Sequence, residues 1–563
     1  MLRIRLGVSL ALLAFGLSPA LASAATSAGE AASVPRVALT DLGRAPAALP
    51  IRVAITLRYR NEDQLDRLLD MQTDETSPLY AHWLSSSEFN AMFAPTSAQY
   101  ALVIRELQRG GFRIAQTYAN RTVVDAIGSV ASAERLFNTQ IHRVMQPGQG
   151  ERYANALPAV APKSLAGLVR SIDGLNSLTL VHADYARAHR SRGIGSDLAG
   201  PPLKGPVNPE YNLAGYGPLA FSQGYDLPQQ HQITGKTGQY YTGTGRVSGV
   251  VIDADFLDTD LASFLTYFNV TRTGPATTRV LIDGGPPKGD GSPDSVETTL
   301  DVETIVSNAP GTTLYVYEFP SFSNLQYITD AYNKVVSDNL VDTANSSFGG
   351  CETGFASSAQ AWDAIAKQGA ALGITFHAST GDDGSEGGCV QAPASGPHFV
   401  GVGGTSLTVD SNGNWTSETG WSGSGGGVST VFALPKWQKK ITNIITTGRN
   451  LPDVAFDANP NTGAAFYYGG TWDNQDDPLG GTSLASPIFG ASQTEYDEVI
   501  GKRFGLAGQK LFKFFKKNSY GTSPDLFFHD ITSGSNGQYS CKTGYDQVTG
   551  IGSMDVWNIE QKG

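Results

Sequence analysis

Charge is scarce in this chain. Asp, Glu, Lys and Arg make up 16% of its 563 residues, against roughly 25% in an ordinary globular domain. Acids outnumber bases, leaving a net −12, a balance that disfavours nucleic acid and anionic membrane as partners. Cysteine is rarer still. Cys351, Cys389 and Cys541 are the complete set, too few and too widely spaced for a zinc site, and an odd number leaves one thiol over. No His-Glu-x-x-His string is present, which removes the commonest metalloprotease chemistry. After the N-terminal segment no apolar run reaches the roughly 18 residues that a membrane span needs.

Glycine, by contrast, is abundant at 65 residues, and 40% of the chain is hydrophobic. Many tight turns and sizeable cores follow, and the length suggests two or more domains. Arg3 and Arg5 precede an apolar run from Leu6 to Leu17, and Ala22-Ser23-Ala24 supplies small residues. Residues 1–24 therefore read as a secretory signal cleaved after Ala24. Charge then divides the remainder. Residues 25–190 carry 17 basic against 15 acidic side chains, whereas the chain from 191 onward carries 21 against 37.

The first part, 25–187, reads as a small α+β unit. Strands are predicted over Arg52–Tyr59, Phe112–Tyr118, Thr122–Ile127 and Gln140–Met145, and helices over Asn61–Met71, Ser97–Gln108 and Ala131–Phe137. Residues 188–218, rich in Gly, Pro and Arg, read as an exposed linker, where proteolytic nicking concentrates; a processing cut is expected within 186–216. From 219 to 563 apolar strand runs (Val247–Asp253, Thr313–Tyr317, Ala371–His377, His398–Val402) alternate with helical stretches (Ser323–Val336, Ser357–Gly369). That alternation predicts a parallel sheet with helices on both faces.

Three short strings carry chemistry. Gly480-Gly-Thr-Ser-Leu-Ala-Ser-Pro487 puts Ser483 at a glycine-lined turn opening a helix, where backbone N–H groups can hold an oxyanion. A serine needs a base, yet the second part holds only His231, His377, His398 and His529, none in a subtilisin-like His-Gly-Thr-His string. Glu297-Thr-Thr-Leu-Asp301 offers carboxyls instead: on a helix over Val296–Val306 the i, i+4 spacing sets both on one face. Buried together, they would share a proton and act as a base only at acid pH. Alone, such a pair is more often an exposed acidic face. Ser379-Thr-Gly-Asp-Asp-Gly384 follows an apolar strand, and a protonated Asp382 there could donate to a tetrahedral intermediate; alone it would be a polar turn.

Together, and in this order, these strings resemble the sedolisin and kumamolisin family of serine-carboxyl peptidases. Ser346-Ser-Phe-Gly349, Pro393-Ala-Ser-Gly-Pro397, Val402-Gly-Gly-Thr405, Gly425-Gly-Gly-Val-Ser429 and Leu451-Pro-Asp-Val454 agree as well. The resemblance implies a subtilisin-like α/β catalytic domain behind a ferredoxin-like α+β activation prodomain. It implies Ser483 as nucleophile, Glu297 as base, Asp301 as its partner and Asp382 in the oxyanion hole. Ser347, Phe348 and Gly349 would form a substrate-binding edge. One Ca2+ ion would be held by the Asp530 and Asp546 side chains and the carbonyls of Ile531, Lys542 and Gly544; the alternative is a metal-free glycine-rich loop. Cys351 and Cys389 flank site segments and are expected to pair, with free thiols as the alternative.

Ser77-Pro-Leu-Tyr-Ala-His-Trp-Leu84 and Asn120-Arg-Thr-Val-Val124 resemble recurrent strings of the family's activation domain. That domain would cover the cleft as intramolecular inhibitor and chaperone, and the charge contrast suggests that acid loosens it. The expectation is a secreted, monomeric, self-processing endopeptidase active at acid pH on protein or peptide substrates. Its rivals are a tripeptidyl exopeptidase on the same scaffold and a non-catalytic, calcium-stabilised secreted binding protein.

Overall fold

The structure is a computed structural model and describes residues 30–32, 35, 37–187, 215–287, 295–385, 388–472, 478–518, 520 and 526–562. The expected signal (1–24) and most of the expected linker (188–214) lie outside the described residues.

The N-terminal unit is built on an antiparallel four-stranded sheet in the order Arg113–Thr117, Val123–Ser129, Pro50–Leu57, Val169–Asp173. The Ser97–Arg109 helix starts on a capping box from Thr96 and Gln99, which satisfies two of the N–H groups a helix start leaves unpaired. It buries Tyr100, Val103 and Leu107 against Val53, Ile55, Val124 and Ala126 of the sheet. The Glu62–Thr73 helix turns Leu65, Leu68 and Leu69 instead into the core shared with the C-terminal unit.

The C-terminal unit has an eight-stranded sheet. Its path is Thr278–Leu281, Thr313–Glu318, Val247–Ile252, Thr343–Ser346, Thr375–Ser379, Phe399–Val409, Trp415–Gly420, with Val454–Asp457 also on Phe399–Val409. All pairings are parallel except Phe399–Val409 with Trp415–Gly420. One strand shows how the two faces are covered. A methyl group on Gly369 of the Ala356–Ala371 helix would meet the Phe376 ring at 2.5 Å, and one on Gly490 of the Thr482–Ile500 helix would meet the His377 ring at 2.7 Å. Neighbouring strand residues point to opposite faces, so these helices sandwich the sheet. The expected strand Ala371–His377 is shorter in the structure. The helix runs to Ala371, Gly373 turns the chain at φ +90°, and the strand begins at Thr375.

The two units pack through aromatic, polar and ion-pair contacts. Trp83 lies flush on Gly373 and Gly505, and its indole N–H donates to the Arg503 carbonyl at 3.1 Å. Tyr118 donates to Asp330 at 3.1 Å, and Asn120 and Thr122 both donate to Asn333 at 2.8 Å. Ion pairs across the contact run in both senses: Arg52 to Asp283, but also Asp66 to Lys367 and Asp70 to Lys436.

The buried carboxyls here act against the expectation that acid loosens the contact, whereas the ion pairs across it act for that expectation. Burial lifts Asp125 and Asp173 to about 6, with Arg52 pulling Asp125 back down. Burial, then Asp125 and Asp283, lifts Asp330 well above its ordinary range. A group with a raised pKa in the packed state stabilises it fully below the free value and loses that contribution as pH rises through the packed value. These groups therefore strengthen the contact on acidification from neutral pH. Arg52 is the cation that Asp125 and Asp283 share. Arg52→Met, in a Ser483→Ala precursor, is expected to destabilise the fold by roughly 3–5 kcal/mol at pH 7, because it strands buried carboxylates, and by less at pH 4. Thermal unfolding at the two pH values measures this, and equal losses would mean the carboxyls do not titrate in that interval.

Candidate active site

The Ser295–Asn308 helix is buried along its whole length. A helix buried all round must satisfy its polar groups internally: Thr299 donates to the Ser295 carbonyl at 2.8 Å and Thr298 to the Ala254 carbonyl at 2.9 Å. Glu297 and Asp301, one turn apart, face the start of the Thr482–Ile500 helix, against which this helix packs. That second helix opens at Gly481, whose φ of +102° suits glycine alone. Pro487 lies inside its first turns and lacks the N–H that would otherwise bond to the Ser483 carbonyl. The freed carbonyl lies 3.5 Å from the Ser347 hydroxyl.

Four side chains meet here. The Ser483 hydroxyl neighbours Glu297 and is turned to donate to the Ser347 carbonyl at 3.3 Å. Both Glu297 oxygens are buried and accept no hydrogen bond among the described residues. Asp301 Oδ1 accepts from the Ser347 hydroxyl at 2.6 Å, and Asn345 donates to that hydroxyl at 2.9 Å. Asp382 Oδ1 accepts from the Thr482 N–H at 2.7 Å and hydroxyl at 2.9 Å, while its Oδ2 accepts nothing among the described residues.

Their electrostatics follow from dense packing. Glu297 is held well above the usual carboxyl range, first by burial, then by Asp301 and, less, by Asp184 and Asp382; Ser483 opposes this. Burial lifts Asp301 against the pull of Ser347 and Asn345. Asp382 is half-buried by surface area, yet protein atoms crowd its carboxyl closely enough that desolvation, then Asp184, raises it well above normal. Such a cluster holds protons near neutrality and can supply both an acid and a base at low pH. The four histidines of the C-terminal unit are engaged elsewhere, and the one in the cleft, His182, belongs to the N-terminal unit and lies 3.4 Å from Asp184. His377 is buried against Ser486 at 3.0 Å and burial depresses it to about 3. His398 pairs with Asp363, His231 with Asp226, and His529 stacks on Trp415.

The cleft holds a segment of the N-terminal unit that sequence reasoning missed. His182–Ala183 pairs antiparallel with Phe348–Cys351, setting His182 opposite Gly349 and Ala183 opposite Phe348. The Asp184 N–H donates to the Ser347 carbonyl at 3.2 Å, and the Ser483 N–H donates to the Asp184 carbonyl at 2.9 Å. Ala186–Arg187 then pairs antiparallel with Leu479–Gly480. Ser347, Phe348 and Gly349 thus line an extended strand. Ser347 also turns its hydroxyl to Asp301, which sequence gave no means to foresee.

In the C-terminal loops, Asp530 accepts from the Gly544 N–H at 3.2 Å and Asp546 Oδ2 from the Lys542 N–H at 3.1 Å. Asp546 Oδ1 takes the Val548 and Thr549 N–H groups. The carbonyls of Ile531, Lys542 and Gly544 accept no hydrogen bond among the described residues, and the Lys542 side chain is exposed. Carboxylates and backbone carbonyls are the donor types that hard cations such as calcium take. Cys351 and Cys389 form a disulfide, and Cys541 is a free, buried thiol.

Comparison with known proteins places the chain in a family. Residues 38–178 match the family model of the pro-kumamolisin activation domain. The chain is 31% identical to sedolisin of Pseudomonas sp. (strain 101), across 90% of this chain and 85% of that protein. It is 27% identical to kumamolisin of Bacillus sp. (strain MN-32), across 89% and 90%. Tripeptidyl-peptidase 1 of Canis lupus familiaris is 24% identical, across 91% of each. The solved structure of Pseudomonas sedolisin, a serine-carboxyl proteinase complexed with two molecules of pseudo-iodotyrostatin, superposes with a TM-score of 0.53 at 28% identity. It covers 62% of this chain and 98% of that one. The chain belongs to the sedolisin family of serine-carboxyl peptidases and carries an activation domain ahead of its peptidase.

Proposed function

We propose that this chain is the precursor of an exported, acid-acting endopeptidase that processes itself. Ser483 attacks the scissile carbonyl. Glu297 takes the hydroxyl proton and returns it to the leaving amine, and Asp301, held by Ser347, orients and tunes Glu297. The Ser483 N–H and a protonated Asp382 hold the oxyanion. Asp184 and part of the burial that raise Glu297 in the precursor go when the N-terminal segment leaves the cleft, so in the matured enzyme Glu297 ionises at lower pH while Asp382 keeps its proton, and the optimum falls at about pH 3 to 5.

One observation carries the endopeptidase reading. The segment lying across Ser483 does not begin near it: residues 182, 183 and 184 approach the serine on the Ser347–Gly349 side, and the chain runs back from them into the N-terminal unit. Leu180, beyond the third residue, still lies against Gly350. A cleft that accepts a continuing chain there has no need of a free amine three residues from the cut. Digestion of an N-acetylated decapeptide by the matured enzyme tests this. An endopeptidase cleaves it internally, and Ser483→Ala does not; cleavage only of the unblocked peptide, in tripeptide steps, would establish the exopeptidase instead.

Export is supported by the Cys351–Cys389 disulfide, a bond that persists in oxidising compartments. Asp530 and Asp546, with the carbonyls of Ile531, Lys542 and Gly544, would hold calcium, which would tie the C-terminal loops together and contribute to stability rather than chemistry. Chelation is expected to lower the thermal midpoint of the matured enzyme by about 5 °C, and calcium to restore it. An Asp546→Ala enzyme would show no response to either.

A further inference from the structure

The segment across the nucleophile is held on both sides of one peptide bond. Before it, His182 and Ala183 ladder onto Gly349 and Phe348, and the Asp184 N–H reaches the Ser347 carbonyl. After it, Ala186 and Arg187 ladder onto Gly480 and Leu479. Between the ladders the Asp184 carbonyl receives the Ser483 N–H at 2.9 Å. A methyl group on Gly481 would stand 2.4 Å from that carbonyl oxygen, 2.4 Å from Asp382 Oδ2 and 2.7 Å from the Tyr185 Cα. The carbonyl and the Asp382 Oδ2, which accepts no hydrogen bond among the described residues, therefore flank the same small space, which only a glycine leaves open. The Asp184 side chain is itself buried, and its Oδ2 accepts from the Ser379 hydroxyl at 2.7 Å. Ser379 is the last residue of the Thr375–Ser379 strand and is fully buried.

We propose that the first self-cleavage of the precursor falls on the Asp184–Tyr185 bond, upstream of the Gly- and Pro-rich linker, and that Ser379 reads the side chain on the acyl side of the cut. This rests on the peptidase reading above. The Ser483 oxygen adds to the Asp184 carbonyl carbon as its proton passes to Glu297. The bond to the Tyr185 nitrogen breaks, and that nitrogen leaves with the proton from Glu297. Water then attacks the Asp184–Ser483 ester, giving one proton to Glu297 and, through it, restoring the Ser483 hydroxyl. One water is consumed per bond. The products are a chain ending in Asp184 and a chain beginning with Tyr185. The pocket so defined suits a short side chain that accepts a hydrogen bond from Ser379, namely the carboxyl of Asp or the carboxamide of Asn.

Two measurements test this. Intact-mass analysis of the full precursor during acidification should show, as the earliest pair of fragments, one ending at Asp184 and one beginning at Tyr185. Matured Ser379→Ala enzyme is then given N-acetylated peptides copying residues 180–188, with Asp, Asn or Ala at the position of residue 184. The loss of the hydrogen bond should lower kcat/KM by about tenfold for the Asp and Asn peptides and leave the Ala peptide within about twofold. A first cut elsewhere, while Ser483→Ala stays intact, overturns the assignment and leaves the peptidase reading standing. An equal loss on all three peptides removes Ser379 as the discriminating group. No cut by the parent precursor at any pH sinks both readings.

Discussion

Replacing Glu297 by glutamine is expected to slow self-cleavage by about 10^3-fold or more while making the precursor more stable than its parent at pH 7. The two effects have one origin. Glu297 is buried beside Asp301, with Asp184 and Asp382 close by, and neither of its oxygens is bonded among the described residues. Its pKa in the fold lies well above the ordinary carboxyl value for that reason. A group with a raised folded pKa stabilises the fold fully below its unfolded pKa, and that contribution is lost as pH rises through the folded value. Over that interval each pH unit costs about 1.4 kcal/mol. Glutamine, nearly the same shape, binds no proton and escapes the loss, so the variant's advantage is absent near pH 4 and grows towards neutrality. It cannot accept the Ser483 proton, so the chemistry goes. Calorimetry at pH 4 and pH 7, beside a time course of precursor mass, reads both. A variant that is inactive and also less stable at pH 7 would mean that Glu297 is a structural acid, and the base would have to be sought elsewhere.

The site could be read from sequence where local chemistry forced the residue type. Gly481 had to be glycine at φ +102°, the i, i+4 carboxyls had to share a face, and the serine string had to open a helix. The strand ahead of Asp382 begins four residues later than the sequence predicts. Ala370 and Ala371 close the helix, Leu372 and Ile374 lie in the turn about Gly373, and the strand starts only at Thr375; these apolar residues run on from one element to the next, and periodicity cannot find a boundary inside such a run. Asp184 was invisible for a different reason. Nothing in its neighbours announces chemistry, and its place opposite Ser483 is fixed by two short ladders to strands more than 160 residues away. Net charge is a partial guide to the contact, where Arg52 does meet Asp283. The sums favour a basic N-terminal unit on an acidic partner, but Asp66 and Asp70 meet Lys367 and Lys436. Local pairing decides what acid does to the contact, and the sums carry no such information.

Asp382 separates two roles that a single substitution would confuse. Its Oδ1 accepts the N–H and hydroxyl of Thr482, which fixes the carboxyl plane, and its Oδ2 is left facing the Asp184 carbonyl. Burial and Asp184 raise its pKa, and the proposed mechanism needs that oxygen to carry the proton it donates to an oxyanion. Alanine removes the donor and strands Thr482, so kcat on a peptide should fall by about 10^2- to 10^3-fold, the usual loss for one oxyanion-hole donor, with KM changed much less. Asparagine can keep the same geometry, its carbonyl accepting from Thr482 and its amide N–H facing the oxyanion. It should retain far more activity than alanine and, unlike aspartate, should not lose its donor as pH rises. The alkaline limb of the kcat profile should therefore move to higher pH in Asp382→Asn, towards whatever group titrates next. If asparagine and alanine are equally inactive, the proton on Asp382 does more than donate a hydrogen bond. If the limb stays in place, it belongs to a different carboxyl of the cluster, and Asp301, buried and bonded to Ser347, is the next to test.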